Sequence, residues 1–225
     1  MTVIKTDRRS LRTRRALRDA LADEIHATGD LSKVTVTAVA ERADVTRRTF
    51  YSHYRDIPSL VEAIETETIE ELVPYAHAIS EVTLPELEAS IKDFMFCPHS
   101  PEVLTYFRER GHYLAALLGE GGDPAFVEKI KTMVRSVVEK RALEGFNPVL
   151  MQVFDYYLSY VIAAEVGVLV RWLTAGMVES DEDMARIMTA LLFVRPGDLY
   201  GRPIDFDLYG IGQEMVERRK ELVHG

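Results

Sequence analysis

Cysteine is nearly absent: the 225-residue chain has one, Cys97. That excludes a disulfide framework within the chain and any cysteine-rich zinc module. An excess of basic charge is missing too. The 27 Lys and Arg face 36 Asp and Glu, and a net charge of −9 excludes a surface that coats nucleic acid all over. Long apolar runs are lacking. The richest, Val161 to Val170, is interrupted by Glu165 and falls short of the roughly 20 residues a membrane span needs. The basic N-terminus is not followed by the apolar segment of a secretory signal, so a cytoplasmic location without membrane contact is the expectation. There is no alternating strand pattern, repeat or low-complexity segment. There is also no nucleophile elbow, P-loop, dinucleotide fingerprint or paired histidine at metal spacing, so no enzyme, cofactor or metal is expected. Cys97-Pro98-His99 and His112 carry metal-ligating side chains, but no spacing compels a site.

What is there is helical and asymmetric in charge. Residues 1–58 hold 12 basic and 8 acidic side chains, and residues 59–225 hold 15 and 28. The first 18 residues alone contain Lys5, Arg8, Arg9, Arg12, Arg14, Arg15 and Arg18 against Asp7. Either a polyanion-binding head sits on an acidic body, or the basic stretch is a solvated tail.

Gly and Pro divide the chain into helix-sized pieces. The first spans about Arg9 to Thr28 and stops at Gly29. A short one runs from Val36 to Ala43 behind Thr35 as N-cap, and another starts at Thr46 and ends before Asp56. The next covers about Ser59 to Pro74, with Leu60, Val61, Ile64 and Leu72 inward and its glutamates forming a solvated face. Pro85, Pro101 and Pro124 suit the first turns of further helices. The segment from Pro148 to Ala175 is apolar nearly all round, so it must be covered on nearly all sides. A helix after Ser180 repeats the pattern. Either both are central to one subunit, or they form a four-helix seam between two copies, with Leu158, Ile162, Val166, Leu169, Ile187 and Leu191 at the interface. A last helix covers about Ile211 to Val223, and nothing assigns a role to residues 196–225.

Thr35 to Asp56 carries the chemistry. Val36, Val39, Ala40 and Ala43 form the inward stripe of one short helix, Val45 plugs the corner, and Thr46 caps the second helix. At 100° per residue Phe50 and Tyr54 share one face. Arg48, Tyr51 and Ser52 point the other way, with Arg47 and Thr49 on the flanks. This is a helix-turn-helix presenting donors and an aromatic ring to solvent, a shape the major groove accepts.

The stretch Val36 to Leu60 resembles the N-terminal signature of the TetR family of bacterial transcriptional repressors. The resemblance rests on Ala40-Glu41-Arg42-Ala43, Val45-Thr46, Thr49-Phe50-Tyr51-Ser52-His53-Tyr54, Asp56 and Leu60. It implies an all-α protein with a three-helix DNA-binding domain (residues 1–58) and a larger helical effector-binding and dimerisation domain (59–225). It also implies base contacts at Thr37, Arg47, Arg48 and Tyr51. Phosphate contacts would fall at Thr35 or Val36, Thr46, Ser52 and His53, and Arg8, Arg9 and Arg12 would form a minor-groove arm. Tyr51 could instead pack on the first helix, His53 could be an inert surface histidine, and Arg42 reads as a salt-bridged or solvated residue. Two departures stand out. Asp44 occupies the turn position where the family usually has glycine, although aspartate tolerates the left-handed conformation. Ile57 occupies a position often held by lysine, with Arg55 a candidate to replace that phosphate contact.

The resemblance implies a homodimer on a palindromic DNA operator, released by an effector in the second domain. Tyr157 to Met184 is faintly similar to a C-terminal subtype that includes regulators of the dihydroxyacetone-kinase kind, one of which answers to a protein. The effector is therefore a small molecule or a protein. Phe94, Phe96, Cys97, Tyr106, Phe107, Tyr113, Met133, Phe154 and Tyr157 are pocket candidates, although a Met and aromatic stripe at helical spacing is usually core. An interaction protein with a degenerate helix-turn-helix is the remaining alternative.

Overall fold

Glycine at 29 and threonine at 35 and 46 punctuate the N-terminal third as their chemistry dictates. The computed structural model describes residues 8–144, 146–194, 196–201 and 207–224. Lys5 and Asp7 lie outside the described residues. Helix α1 (Arg8–Thr28) stops at Gly29, whose φ of +66° a side chain would disfavour. Helix α2 (Val36–Arg42) starts behind Thr35, whose side chain accepts the Ala38 amide at 3.2 Å. Helix α3 (Arg47–His53) starts behind Thr46, which accepts the Thr49 amide at 3.1 Å. Each cap satisfies an amide that the first helical turn leaves without a partner.

Helix α4 (Ile57–Ser80) begins earlier than expected because Asp56 and Ser59 cap it reciprocally, at 2.8 and 3.0 Å. It also runs past Pro74. That proline removes one backbone hydrogen bond, but the following Tyr75-Ala76-His77-Ala78 keeps the helix going. Helices α5 (Leu84–Lys92), α6 (Ser100–Glu109) and α8 (Pro124–Leu143) begin at or beside Pro85, Pro101 and Pro124. Between α6 and α8 lies α7 (Gly111–Leu118). Helix α9 (Met151–Thr174), α10 (Asp181–Leu191, capped by Ser180) and α11 (Leu208–His224) complete eleven helices, and no strand occurs among the described residues.

The chain forms two compact units. The first contains the residues through Leu72 together with Thr105–Ile130 and Val170–Val178. The second contains Val73–Leu104, Lys131–Leu169 and the residues from Glu179 onward. In the first unit α1 packs along α7, and Leu17, Leu21, Ile25, Phe50, Leu60, Leu114 and Leu117 are fully buried. At about 1.5–3 kcal/mol per large apolar side chain, this burial is what holds the short helices in place. The loop before α8 seats on the end of α1: the Leu31 amide donates to the Gly121 carbonyl at 2.7 Å. A Cβ on Gly121 would come within 2.3 Å of the Gly29 carbonyl oxygen, so glycine at 121 allows this approach.

In the second unit α11 packs on the turn Pro148–Leu150. The Cys97 amide donates to the Thr189 hydroxyl at 2.8 Å and ties the loop after α5 to α10. By length and composition the segment Pro148–Thr174 would suffice to cross a membrane, contrary to the expectation from apolar runs. It nevertheless carries Asp155 and Ser159, both bonded by Arg135 of α8, and an exposed Arg171.

Candidate nucleic-acid interface

Phe50 organises the reading helix. Its ring has no exposed surface and stands edge-on to Tyr51 at 5.7 Å and tilted to Tyr54 at 6.0 Å. With Phe50 inward, helical spacing turns Arg47, Arg48, Tyr51 and Ser52 outward. All four are exposed, and Tyr51 keeps 57% of its surface. Thr37, on α2, is exposed as well, and Val36 is half-buried. Val39 and Ala40 are buried on the inner face of α2.

The turn between α2 and α3 forms with Asp44 at φ +51°, in the left-handed region aspartate tolerates. The Val45 amide donates to the Ala40 carbonyl at 2.9 Å and closes the corner. Arg42 bonds to Glu24 of α1 at 2.5 Å and braces α2 against α1.

The candidate phosphate contacts differ in how free they are. The Thr46 hydroxyl lies 3.0 Å from that of Thr49, and the Ser52 hydroxyl donates to the Thr49 carbonyl at 2.7 Å. Thr35 caps α2 and is exposed. Arg55 is exposed but bonded to Asp56 at 3.0 Å. His53 is half-buried, and its pKa is lowered by burial first and by the nearby Arg14 charge second. A neutral imidazole at neutral pH offers a hydrogen bond to phosphate, not a charge. Arg8, Arg9 and Arg12 occupy the first turns of α1 and are exposed.

The pocket candidates are distributed over both units. In the first, Tyr106, Phe107 and Tyr113 are buried. Arg110 stacks over the Tyr106 ring at 4.0 Å and bonds to Glu71 at 3.1 Å. In the second, Met133 and Phe154 are buried, and Phe154 and the exposed Tyr157 both face the ring of Phe146, at 4.8 and 6.3 Å. Phe146 was not singled out by sequence. Phe96 lies under the Arg186 guanidinium at 5.9 Å, while Phe94 is 87% exposed at φ +55°. Cys97 is half-buried, and its thiol pKa is pushed up to about 11, by burial first and the Glu165 carboxylate second. Burial likewise raises Glu165 to about 7. His112 pairs with Asp23 at 3.1 Å.

On α9 the inward stripe is Phe154, Leu158, Ile162, Val166, Leu169, Trp172 and Leu173. The chain itself therefore buries Leu158, Ile162, Val166 and Leu169. The side left open presents Tyr156, Tyr160, Ala163, Ala164 and Gly167, and on α10 it is Ile187 and Leu191 that are exposed. The glutamates of α4 are not all solvated either, because Glu65 is 2% exposed.

Comparison with known proteins agrees with this geometry. Residues 20–64 match the family described as bacterial regulatory proteins, tetR family, and residues 99–193 match a family described as a transcriptional regulator C-terminal region. The chain is 26% identical over 198 residues to the uncharacterized HTH-type transcriptional regulator YxbF of Bacillus subtilis (strain 168). That alignment covers 84% of this chain and 47% of the relative, so the chain spans about half the relative's length. A TetR transcriptional regulator from Streptococcus agalactiae 2603V shares the fold, with a TM-score of 0.52 at 23% identity over 83% of this chain and 96% of that one.

Proposed function

Because this chain belongs to the TetR family of bacterial transcriptional regulators, we propose that it is a repressor that binds a palindromic operator as a homodimer and lets go when an effector binds its C-terminal portion. The observation that carries the reading is the outer face of α3, where Arg47, Arg48 and Tyr51 stand clear of the core that Phe50 anchors. Arg bonds guanine bidentately in the major groove, and Tyr51 offers a hydroxyl and a ring for base or backbone. Thr37 joins them from α2. Thr35, Thr46, Ser52, His53 and Arg55 set the register on phosphates, which position without carrying sequence. Arg8, Arg9 and Arg12 extend the basic edge along α1.

Dimerisation uses the open sides of α9 and α10, and two α3 helices then meet successive major grooves about 34–36 Å apart. The effector is a small amphipathic molecule held among the aromatic residues of the C-terminal portion. A protein effector is the second reading, and exposed Leu84 and Phe94 favour it. Action on DNA in a bacterium places the protein in the cytoplasm, and no catalytic step is involved.

The test is selection from a randomised duplex pool, followed by fluorescence anisotropy at two salt concentrations. Enrichment of a palindrome, with affinity falling steeply as salt rises, supports the reading. Arg47→Ala with Arg48→Ala should abolish that enrichment while leaving the fold intact by circular dichroism. Absence of any enriched sequence would overturn operator reading and favour an interaction protein.

A further inference from the structure

Among the described residues Glu65 is the one charged residue buried outright, at 2% exposure on α4. Its Oε2 accepts from the Lys129 ammonium of α8 at 2.5 Å, but its Oε1 is buried with no hydrogen-bond partner. Beside it lies the carboxyl of Asp123, whose Oδ1 accepts the Ala125 amide at 2.8 Å at the start of α8. A buried acceptor next to a second carboxylate is costly. A proton on Oε1 changes it from an orphaned acceptor into a donor, with Asp123 as the neighbouring acceptor.

The position gives that proton a consequence. Asp123 ends the loop on which the head is seated through the Leu31 amide, the Gly121 carbonyl and the Gly29–Gly121 approach. Glu65 follows Ile57, Leu60, Val61 and Ile64, the part of α4 buried in the same unit as the head. Glu65 and Asp123 therefore join the two supports of the reading head, helix α4 and the loop before α8.

We propose that a proton held on Glu65 and donated toward Asp123 clamps α4 to this loop and makes the seat of the reading head pH-sensitive. The charged groups facing Glu65 are Lys129, which favours its anion, and Asp123, which opposes it; Glu62 acts on Lys129 from the exposed side of α4. Burial outweighs the lysine and raises the Glu65 pKa above its ordinary 4.5. The closed clamp thus holds the proton more tightly than the open one. It is strongest below that ordinary value and weakens as pH rises through the raised one.

The experiment is hydrogen–deuterium exchange at the Leu31 amide of the full chain from pH 5 to 7.5, corrected for intrinsic exchange. The opening equilibrium should rise with pH by up to about tenfold per unit within the titration window. Glu65→Gln carries a permanent donor and acceptor at the same place, so its Leu31 protection should be independent of pH and exceed that of the unaltered protein at pH 7.5. Asp123→Asn keeps a capping side chain for α8. It should flatten the pH dependence as well, and it serves if the first variant does not fold. A pH-independent opening in the unaltered protein, or the same pH slope in both variants, overturns the clamp. Neither readout involves DNA, so failure here is separable from failure of operator reading.

Discussion

The guanidinium of Arg18 lies 4.1 Å from the centre of the Tyr113 ring, joining α1 to α7. Arg18 belongs to the run of N-terminal arginines that reads as a polyanion surface, but its side chain is only 24% exposed and also bonds to Asp19. It is a packing cation, with its stem against the core and its charge over an aromatic face. Arg18→Ala should lower stability by about 1–2 kcal/mol through the lost stacking and stem packing. The salt dependence of DNA binding should stay unchanged, because no phosphate contact is lost. Urea unfolding and anisotropy titrations check the two halves separately. A flattened salt slope with unchanged stability would place Arg18 on DNA instead.

Asp44 holds φ +51° at the tip of the turn between α2 and α3. Glycine adopts that conformation without a Cβ penalty, while a β-branched residue pays heavily. Asp44→Gly should therefore be neutral or stabilising by up to about 1 kcal/mol, the gain being offset in part by the looser unfolded chain. Asp44→Val should cost about 1–3 kcal/mol. Removal of an exposed carboxylate beside the reading helix should also tighten DNA binding at low salt for Asp44→Gly. Thermal melts check both: the melting temperature should fall for Asp44→Val and stay level or rise for Asp44→Gly.

The head was legible because its signals are local. Gly29, Thr35 and Thr46 mark their boundaries within a residue or two, and Phe50 declares the inner face of α3. Of the two readings for Arg42, solvated or salt-bridged, the structure has the second, since Glu24 receives it. The rest depends on what lies far away in the chain. Glu65 looks like its four neighbouring glutamates in sequence, and only Asp123 and Lys129, about sixty residues on, enclose it. Pro74 reads as a stop, yet one missing amide is not enough to end a helix whose flanks keep their bonds. For α9 the periodicity marks an apolar stripe without saying whose helices cover it. Leu158 and its stripe are met by the chain itself, and the tyrosines and small residues on the other side are what remains.

Glu165 supplies a pH dependence with a defined sign. Its pKa is raised by burial to about 7, from an ordinary 4.5. A carboxyl with a raised folded-state pKa contributes stability that is complete below about 4.5 and lost as pH rises through about 7. Glu165→Gln keeps the shape and removes the charge. At pH 8 it should be more stable than the unaltered protein by on the order of 2 kcal/mol, and at pH 5 the difference should shrink toward zero. Melting curves across that range check it. Parallel curves would show that Glu165 finds a counter-charge in solution.

Gly167 separates contacts made within the chain from contacts made by a second copy. A Cβ built there meets nothing within 4 Å, so the chain itself leaves the position open. It lies on the side of α9 that carries Tyr156, Ala163 and Ala164, and with Tyr160, 73% exposed, it is the surface proposed for the homodimer. In a lone subunit Gly167→Leu should raise helix stability by a few tenths to about 1 kcal/mol, because glycine is the poorer helix former. Against a partner helix the same leucine forces the two backbones apart. Sedimentation velocity should therefore show at least a tenfold weaker dimer for Gly167→Leu, with the melting temperature of the isolated subunit unchanged or higher. Operator affinity should fall with it, since a monomer engages one half-site. A dimer of unaltered strength would move the homodimer surface away from this side of α9, toward Ile187 and Leu191 on α10 alone.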